Sequence, residues 1–207
     1  MTHPLLAWIE RRFPLAHETL RPPADAAAIE EARLPEALAE LYRAHDGQRP
    51  GRMKSAFFAE AFRWLPLADG HEERRRMISV MEGVREEFPE AQPFDPAWFP
   101  FAADDLGNLM VVDTATDDAF TYLHDEGRGD GPSTPSEELL GTYLEHLESG
   151  VLVIDEELGV VDRARPAPAP AARPYVVPPR TKWLTIAAIV LGGLALVAWI
   201  FWLEQSR

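Results

Sequence analysis

Apolar positions recur along this chain with two periods, three to four residues in some stretches and two in others, and the changes of period mark out its elements. Leu5, Leu6, Trp8, Ile9 and Phe13 form a short amphipathic helix ending before Pro14. After the Arg-Pro-Pro break at 21–23, Asp25 is placed to cap a helix through Ile29 to Arg33. In LPEALAELYRAHDG (34–47), Pro35 suits a first helical turn and Leu38, Leu41 and Tyr42 line one face. Gly47 stands where a helix C-terminal glycine is expected. The aromatic stretch 57–67 ends as an extended segment over 62–67. A helix follows over 72–88, where Met77, Met81, Val84 and Phe88 are spaced 4, 3 and 4 as a core-facing stripe, stopped by Pro89.

Period two takes over in WFPFAA (98–103), NLMVVD (108–113) and AFTYLH (119–124). The turn-rich DDLG and TATDD between them predict an antiparallel meander. DEGRGDGPST is a loop. Thr134, Pro135 and Glu137 then read as N-cap, first-turn proline and capping-box glutamate. The helix they open buries Leu139, Leu140, Tyr143, Leu144 and Leu147 and ends at Gly150. VLVI and GVV, separated by DEEL, form a closing hairpin.

One stretch has no polar period. Residues 183–203 (WLTIAAIVLGGLALVAWIFWL) hold twenty-one residues without a charge, Pro, Asn or Gln. As a helix they reach roughly 31 Å, the thickness of a bilayer's hydrocarbon core. Trp183 at one end and Trp199, Phe201 and Trp202 at the other suit the two interfaces; Gly192 and Gly193 lie mid-span and Leu203 closes it. Ala188 and Gly192 have the small-xxx-small spacing of helix pairs, a weak signal in an Ala-rich span. Before it, 163–180 carries six Pro in eighteen residues, an extended spacer of up to roughly 55 Å. The expected organisation is a folded domain over 1–163, a Pro/Ala-rich linker over 164–182, a transmembrane helix over 183–203 and a short tail over 204–207.

Charge gives this layout an orientation. Residues 1–165 carry 16 Lys and Arg against 33 Asp and Glu, a net of −17, whereas 166–207 are net +3. Arg173, Arg180 and Lys182 precede the span, so the positive-inside rule keeps the N-terminal domain in the cytoplasm of a tail-anchored, single-pass inner-membrane protein. MTHPLLAWIERRF lacks the apolar run of a signal peptide, in agreement. The acidic body is repelled by nucleic acid and drawn to basic partners. With no Cys, thiolate metal sites and Cys nucleophiles are excluded.

Candidate chemistry is sparse. HEERR (71–75) begins like a zinc-protease helix but has Arg75 where the second His belongs. GRGDGPST has no Lys before its Ser/Thr, unlike a phosphate loop, and its Arg128-Gly129-Asp130 matches an integrin tripeptide by chance. No nucleophile elbow occurs. Asp104, Asp105, Asp113, Asp117 and Asp118 are the densest carboxylate group, beside two turns of the meander and expected to share one edge of the sheet. They read as solvated turns, as a partner-binding acidic edge, or as a metal or catalytic group, although ADDLGNLMVVD lacks the register of a calcium loop. No cofactor and no small-molecule substrate is indicated.

The order of these elements resembles the SUKH superfamily, the Smi/Knr-type domain. LPEALAELYRAHDG (34–47) resembles its opening Leu-Pro helix ending in Asn/Asp-Gly, and FRWLPLAD (62–69) with the long helix resembles its next segment. WFPFAADDLGNLMVVD (98–113) is similar to its signature of aromatic, Pro, hydrophilic turn with Gly, and strand ending in Asp. ELLGTYLEHLESG (138–150) is similar to its closing helix. The resemblance covers about 25–162. It implies an α+β fold, helices packed on a mostly antiparallel sheet, with Pro35, Gly47, Trp98, Pro100, Gly107 and Asp113 as fold residues and not an active site. It also implies action by binding proteins without a shared catalytic centre: immunity proteins against polymorphic toxins in many bacterial members, cell-wall assembly scaffolds in fungal ones. The expected function is a membrane-anchored protein-binding domain, an immunity protein against a basic toxin or, alternatively, an envelope scaffold, with an enzyme as the third reading.

Overall fold

A computed structural model describes residues 3–163 apart from 52, 125, 126, 130 and 156; the expected linker, span and tail (164–207) lie outside the described residues. Among the described residues no helix is long and apolar enough to cross a membrane. The chain opens with α1 (Pro4–Arg12), α2 (Pro14–His17), α3 (Ala26–Ala32) and α4 (Glu36–Ala44). As expected from the apolar spacing, Leu5, Leu6, Ile9, Leu38, Leu41 and Tyr42 are buried. Asp25 Oδ1 accepts from Ala27 N at 2.8 Å and caps α3.

The sheet is the predicted meander. β1 (Arg63–Trp64), β2 (Trp98–Ala103), β3 (Leu109–Asp113), β4 (Asp118–Leu123) and β5 (Gly127–Arg128) lie in that order, all antiparallel, with β6 (Thr134–Pro135) also on β4. Between Pro100 and Ala102 the β2–β3 register slips by one, so Phe101 is a bulge residue. Alternation then divides the sheet into two apolar faces. Ala102, Val112 and Ala119 join the core with α1, α3, α4 and α6 (Ser136–Ser149). Leu109, Val111, Phe120 and Tyr122 face the other way, with Trp98, Phe94 and Met77 of α5 (Leu67–Glu87). A separate hairpin, β7 (Leu152–Asp155) with β8 (Gly159–Asp162), closes the domain as predicted.

Three local expectations are corrected. Pro35 and Pro135 are not in the first turn of their helices but the extended residue before it, and no side chain of theirs, nor Thr134, caps the helix. The amide of Ser136 instead donates to Asp117 Oδ1 at 3.2 Å, nineteen residues away in sequence. Gly47 is not the C-cap of α4, which ends at Ala44. It has φ +67, and a Cβ there would stand 2.5 Å from the Leu65 carbonyl carbon and from Pro66 N. Glycine is required because two backbones cross there. The stripe of α5 is core only at Met77, with Met81 packed beside it; Val84 and Phe88 are exposed because the helix runs on past the sheet.

Candidate partner-binding surface

The five candidate aspartates fall into two groups, since successive turns of a meander lie at opposite ends of its strands. Asp104 and Asp105 are in the β2–β3 turn. Asp113, Asp117 and Asp118 surround the β3–β4 turn, where Asp113 pairs with Asp118 and with Trp98. A strand length, about 15 Å, separates the groups. They do not share one edge.

Most of these carboxylates shape their own turns. Asp113 Oδ1 accepts from Ala115 N at 2.9 Å, Asp118 Oδ2 from Thr116 Oγ1 at 3.2 Å, and Asp117, at φ +64, caps α6. Asp104 Oδ1 accepts from Leu106 N and Asn108 N at 2.9 and 2.8 Å, and its Oδ2 from Asn108 Nδ2 at 2.8 Å. Asn108 Oδ1 accepts in turn from His124 N at 3.2 Å. Gly107, at φ +90, completes the turn. The result is a braced tip that presents Asp105 and Leu106 outward, Leu106 with 76 % of its surface exposed.

Between this tip and the first turns of α5 runs an open groove of about 480 Å³. Asp69, Glu72, Glu73, Asp104 and Asp105 line it against only Arg63 and Arg76. Arg76 is already held by both carboxylate oxygens of Glu73. The Arg63 Nη1 atom is buried without a hydrogen-bond partner among the described residues. Charge is therefore unbalanced towards the negative, in an open concave place, with the exposed Leu106 next in the chain to its lining residues Asp105 and Gly107. Such an arrangement focuses a field on a basic partner and offers it one apolar contact. The sequence singled out Asp104 and Asp105 but not Asp69, Glu72, Glu73 and Leu106, which the structure places beside them. The signal was the acidic pair in HEERR, one helical turn from Asp69, beside a segment already read as a turn.

The remaining fold residues have structural places. Trp98 is buried among Phe94, Phe120 and Tyr122, with ring centroids 5.1–6.2 Å away. The Pro100 carbonyl lies where a Cβ on Gly70 would be 2.6 Å from it, so α5 presses directly on β2. Asp113 ends β3. Tyr42 and Tyr143 donate to the Leu65 and Phe57 carbonyls at 2.7 Å each, and burial pushes both phenols far up from their ordinary range. His71, hydrogen-bonded through Nδ1 to Arg74 at 3.0 Å and edge-on to Phe99, is held below the ordinary imidazole value by burial and then by that guanidinium. Among the described residues no three His, Asp or Glu side chains gather into a metal-ligating group.

What these layers define is an α+β domain, helices on both faces of an antiparallel meander, with an acidic groove at one end of its strands. Residues 23–145 match the SMI1 / KNR4 family (SUKH-1), and the chain belongs to that family. No curated protein matches the chain. The family includes toxin-immunity proteins, its domains often bind protein partners, and it is typically non-catalytic.

Proposed function

We propose that this chain is an immunity protein: a cytoplasm-facing domain that binds and neutralises a toxin, held at the inner membrane by its C-terminal segment. The observation that carries the reading is the SUKH-1 match over 23–145. The net −17 of residues 1–165 and the unbalanced carboxylates of the groove favour a basic toxin domain. Charge of this kind raises the encounter rate and is weakened by salt. The anchor rests on sequence alone, on the twenty-one uncharged residues of 183–203 and the basic residues before them.

The test is genetic and biochemical together. Deleting the gene should leave cells sensitive to toxin-bearing kin, and the full-length chain should co-purify a toxin effector. Reversing two groove charges, Glu72→Lys with Asp105→Lys, should weaken that association about tenfold or more at low salt, the equivalent of one rim-charge loss or greater. Unchanged sensitivity and no captured effector would refute immunity; recovery of envelope-assembly proteins instead would favour the scaffold. Carbonate extraction that releases the chain from membranes would refute the anchor. Protease digestion of the domain from the outer face would refute the orientation.

A further inference from the structure

The last two turns of α5 have no tertiary partner among the described residues. Every residue from 82 to 90 is exposed. Val80, Val84 and Phe88, at i, i+4 and i+8, present an apolar stripe with 46, 36 and 51 % of their surfaces exposed. Helices in water take most of their stability from packing, so a bare extension with an apolar stripe points to a surface that is covered in use.

The charges along α5 say what covers it. Arg74, Arg75 and Arg76 lie before the stripe, and Glu82, Glu86 and Glu87 lie along and after it; Arg85, about 180° around the helix from Arg76, is turned away from that side. Those three glutamates make no ion pair among the described residues. At about 100° per residue, Arg76, Val80, Gly83, Val84 and Glu87 fall within roughly 100° of the helix circumference. Read along the helix, that arc runs cation, apolar, small, apolar, anion. The order is self-complementary when reversed. A second α5 laid antiparallel sets Arg76 against Glu87 at both ends and the two valines together between them. Among the described residues nothing lies within 4 Å of where a Cβ on Gly83 would be, so a second backbone has room to approach. Arg76 already binds Glu73 of its own helix, but a guanidinium has five N–H donors and can serve both carboxylates.

We propose that α5 is a homodimer contact, pairing antiparallel with α5 of a second copy of this chain about a two-fold axis between Val80 and Gly83. Reciprocal Arg76–Glu87 ion pairs flank a seam of Val80 and Val84. A seam of two valines with one ion pair at each end falls well short of the roughly 20–30 residues a side of a standard-size interface. The association is therefore weak and depends on its charges.

The absence of native Cys makes the test direct. In the purified full-length chain, Val80→Cys should be joined to a second copy by a short bismaleimide. Val151→Cys, equally exposed but off the ridge, should not. Arg76→Glu in the Val80→Cys background should cut the yield about tenfold, and adding Glu87→Arg should restore it. A folding defect would not be rescued by exchanging charges. Equal cross-linking at 80 and 151, or no rescue by the exchange, overturns the proposal. So does a chain that stays monomeric alone while an added basic helix shields the cysteine at 80, which would give the ridge to a foreign partner.

Discussion

Gln48 is the residue whose loss should be felt furthest. Its side chain is 1 % exposed and fully used. Nε2 donates to Thr19 Oγ1 at 2.6 Å and to the Ser55 carbonyl at 2.7 Å; Oε1 accepts from Phe57 N at 2.9 Å and Trp64 N at 3.1 Å. One amide thus ties the N-terminal helices, the irregular loop before β1, and β1 itself. Gln48→Leu keeps the volume and removes all four bonds. Two buried amide donors left unpaired cost about 1–3 kcal/mol each, and the added apolar burial returns part of it. The expected net loss is about 3 kcal/mol, or a fall in Tm of about 6–12 °C for a domain of this size. A urea titration of the full-length chain followed by far-UV circular dichroism measures it, with an unchanged slope as the sign that only stability moved. Gln48→Glu is the companion variant, because it keeps the oxygen that accepts from Phe57 N and Trp64 N and loses the donors to Thr19 Oγ1 and the Ser55 carbonyl. Burial raises the folded-state pKa of that carboxyl above its unfolded value of about 4.3. The variant is therefore most stable below about pH 4.3 relative to wild type and loses stability as pH rises through the raised value. A loss below about 1 kcal/mol for Gln48→Leu would show that the loop is held by its aromatics alone, and would refute the clamp.

Backbone geometry makes two opposite predictions. Gly47→Ala must part the crossing with Leu65 and Pro66 and should cost more than about 3 kcal/mol by the same titration, well above the penalty of positive φ alone. Ala61→Gly, at φ +65, relieves a left-handed alanine and should stabilise by about 1 kcal/mol. For His71, the folded pKa is lowered, so its contribution is present above the unfolded value near 6.5 and is lost as pH falls through the folded one. His71→Gln should flatten that part of the stability curve below pH 6.5, measured as urea midpoint against pH.

Where the sequence was informative, the forces were local. Periods of 3.6 and 2 follow from which side of an element meets the core, so α1, α4, α6 and the three strands of the meander were legible within a residue or two. The misreadings at Pro135 and Gly47 share one cause: the partner that decides each position is remote. Ser136 N, just after Pro135, is capped by Asp117 Oδ1 at 3.2 Å, and Gly47 is crossed by the backbone of Leu65 and Pro66; neither pairing has a local signature. The stripe from Met77 to Phe88 announced an amphipathic helix correctly. Periodicity names a face, though, and not what covers it. The division of the aspartates was legible in principle, since the predicted meander itself sends successive turns to opposite ends. The groove was not, because it needs the packing of α5 against β2.

Arg76 belongs to both surfaces, and that couples them. On its own helix it neutralises Glu73, one of the five groove carboxylates. In an antiparallel α5 pair the same guanidinium also faces Glu87 of the second copy, and that helix end brings Glu86 and Glu87 alongside the groove. Pairing would then deepen the negative field that a basic partner meets. Linkage requires the reverse as well: a basic partner in the groove, by binding Glu73, would release Arg76 to Glu87 and favour the pair by the same factor. Cross-linking of Val80→Cys should therefore rise when a basic partner is added and should lose that response in Glu73→Gln. A partner that instead separates the copies would mean that the two surfaces compete for α5 and that only one of them is used at a time.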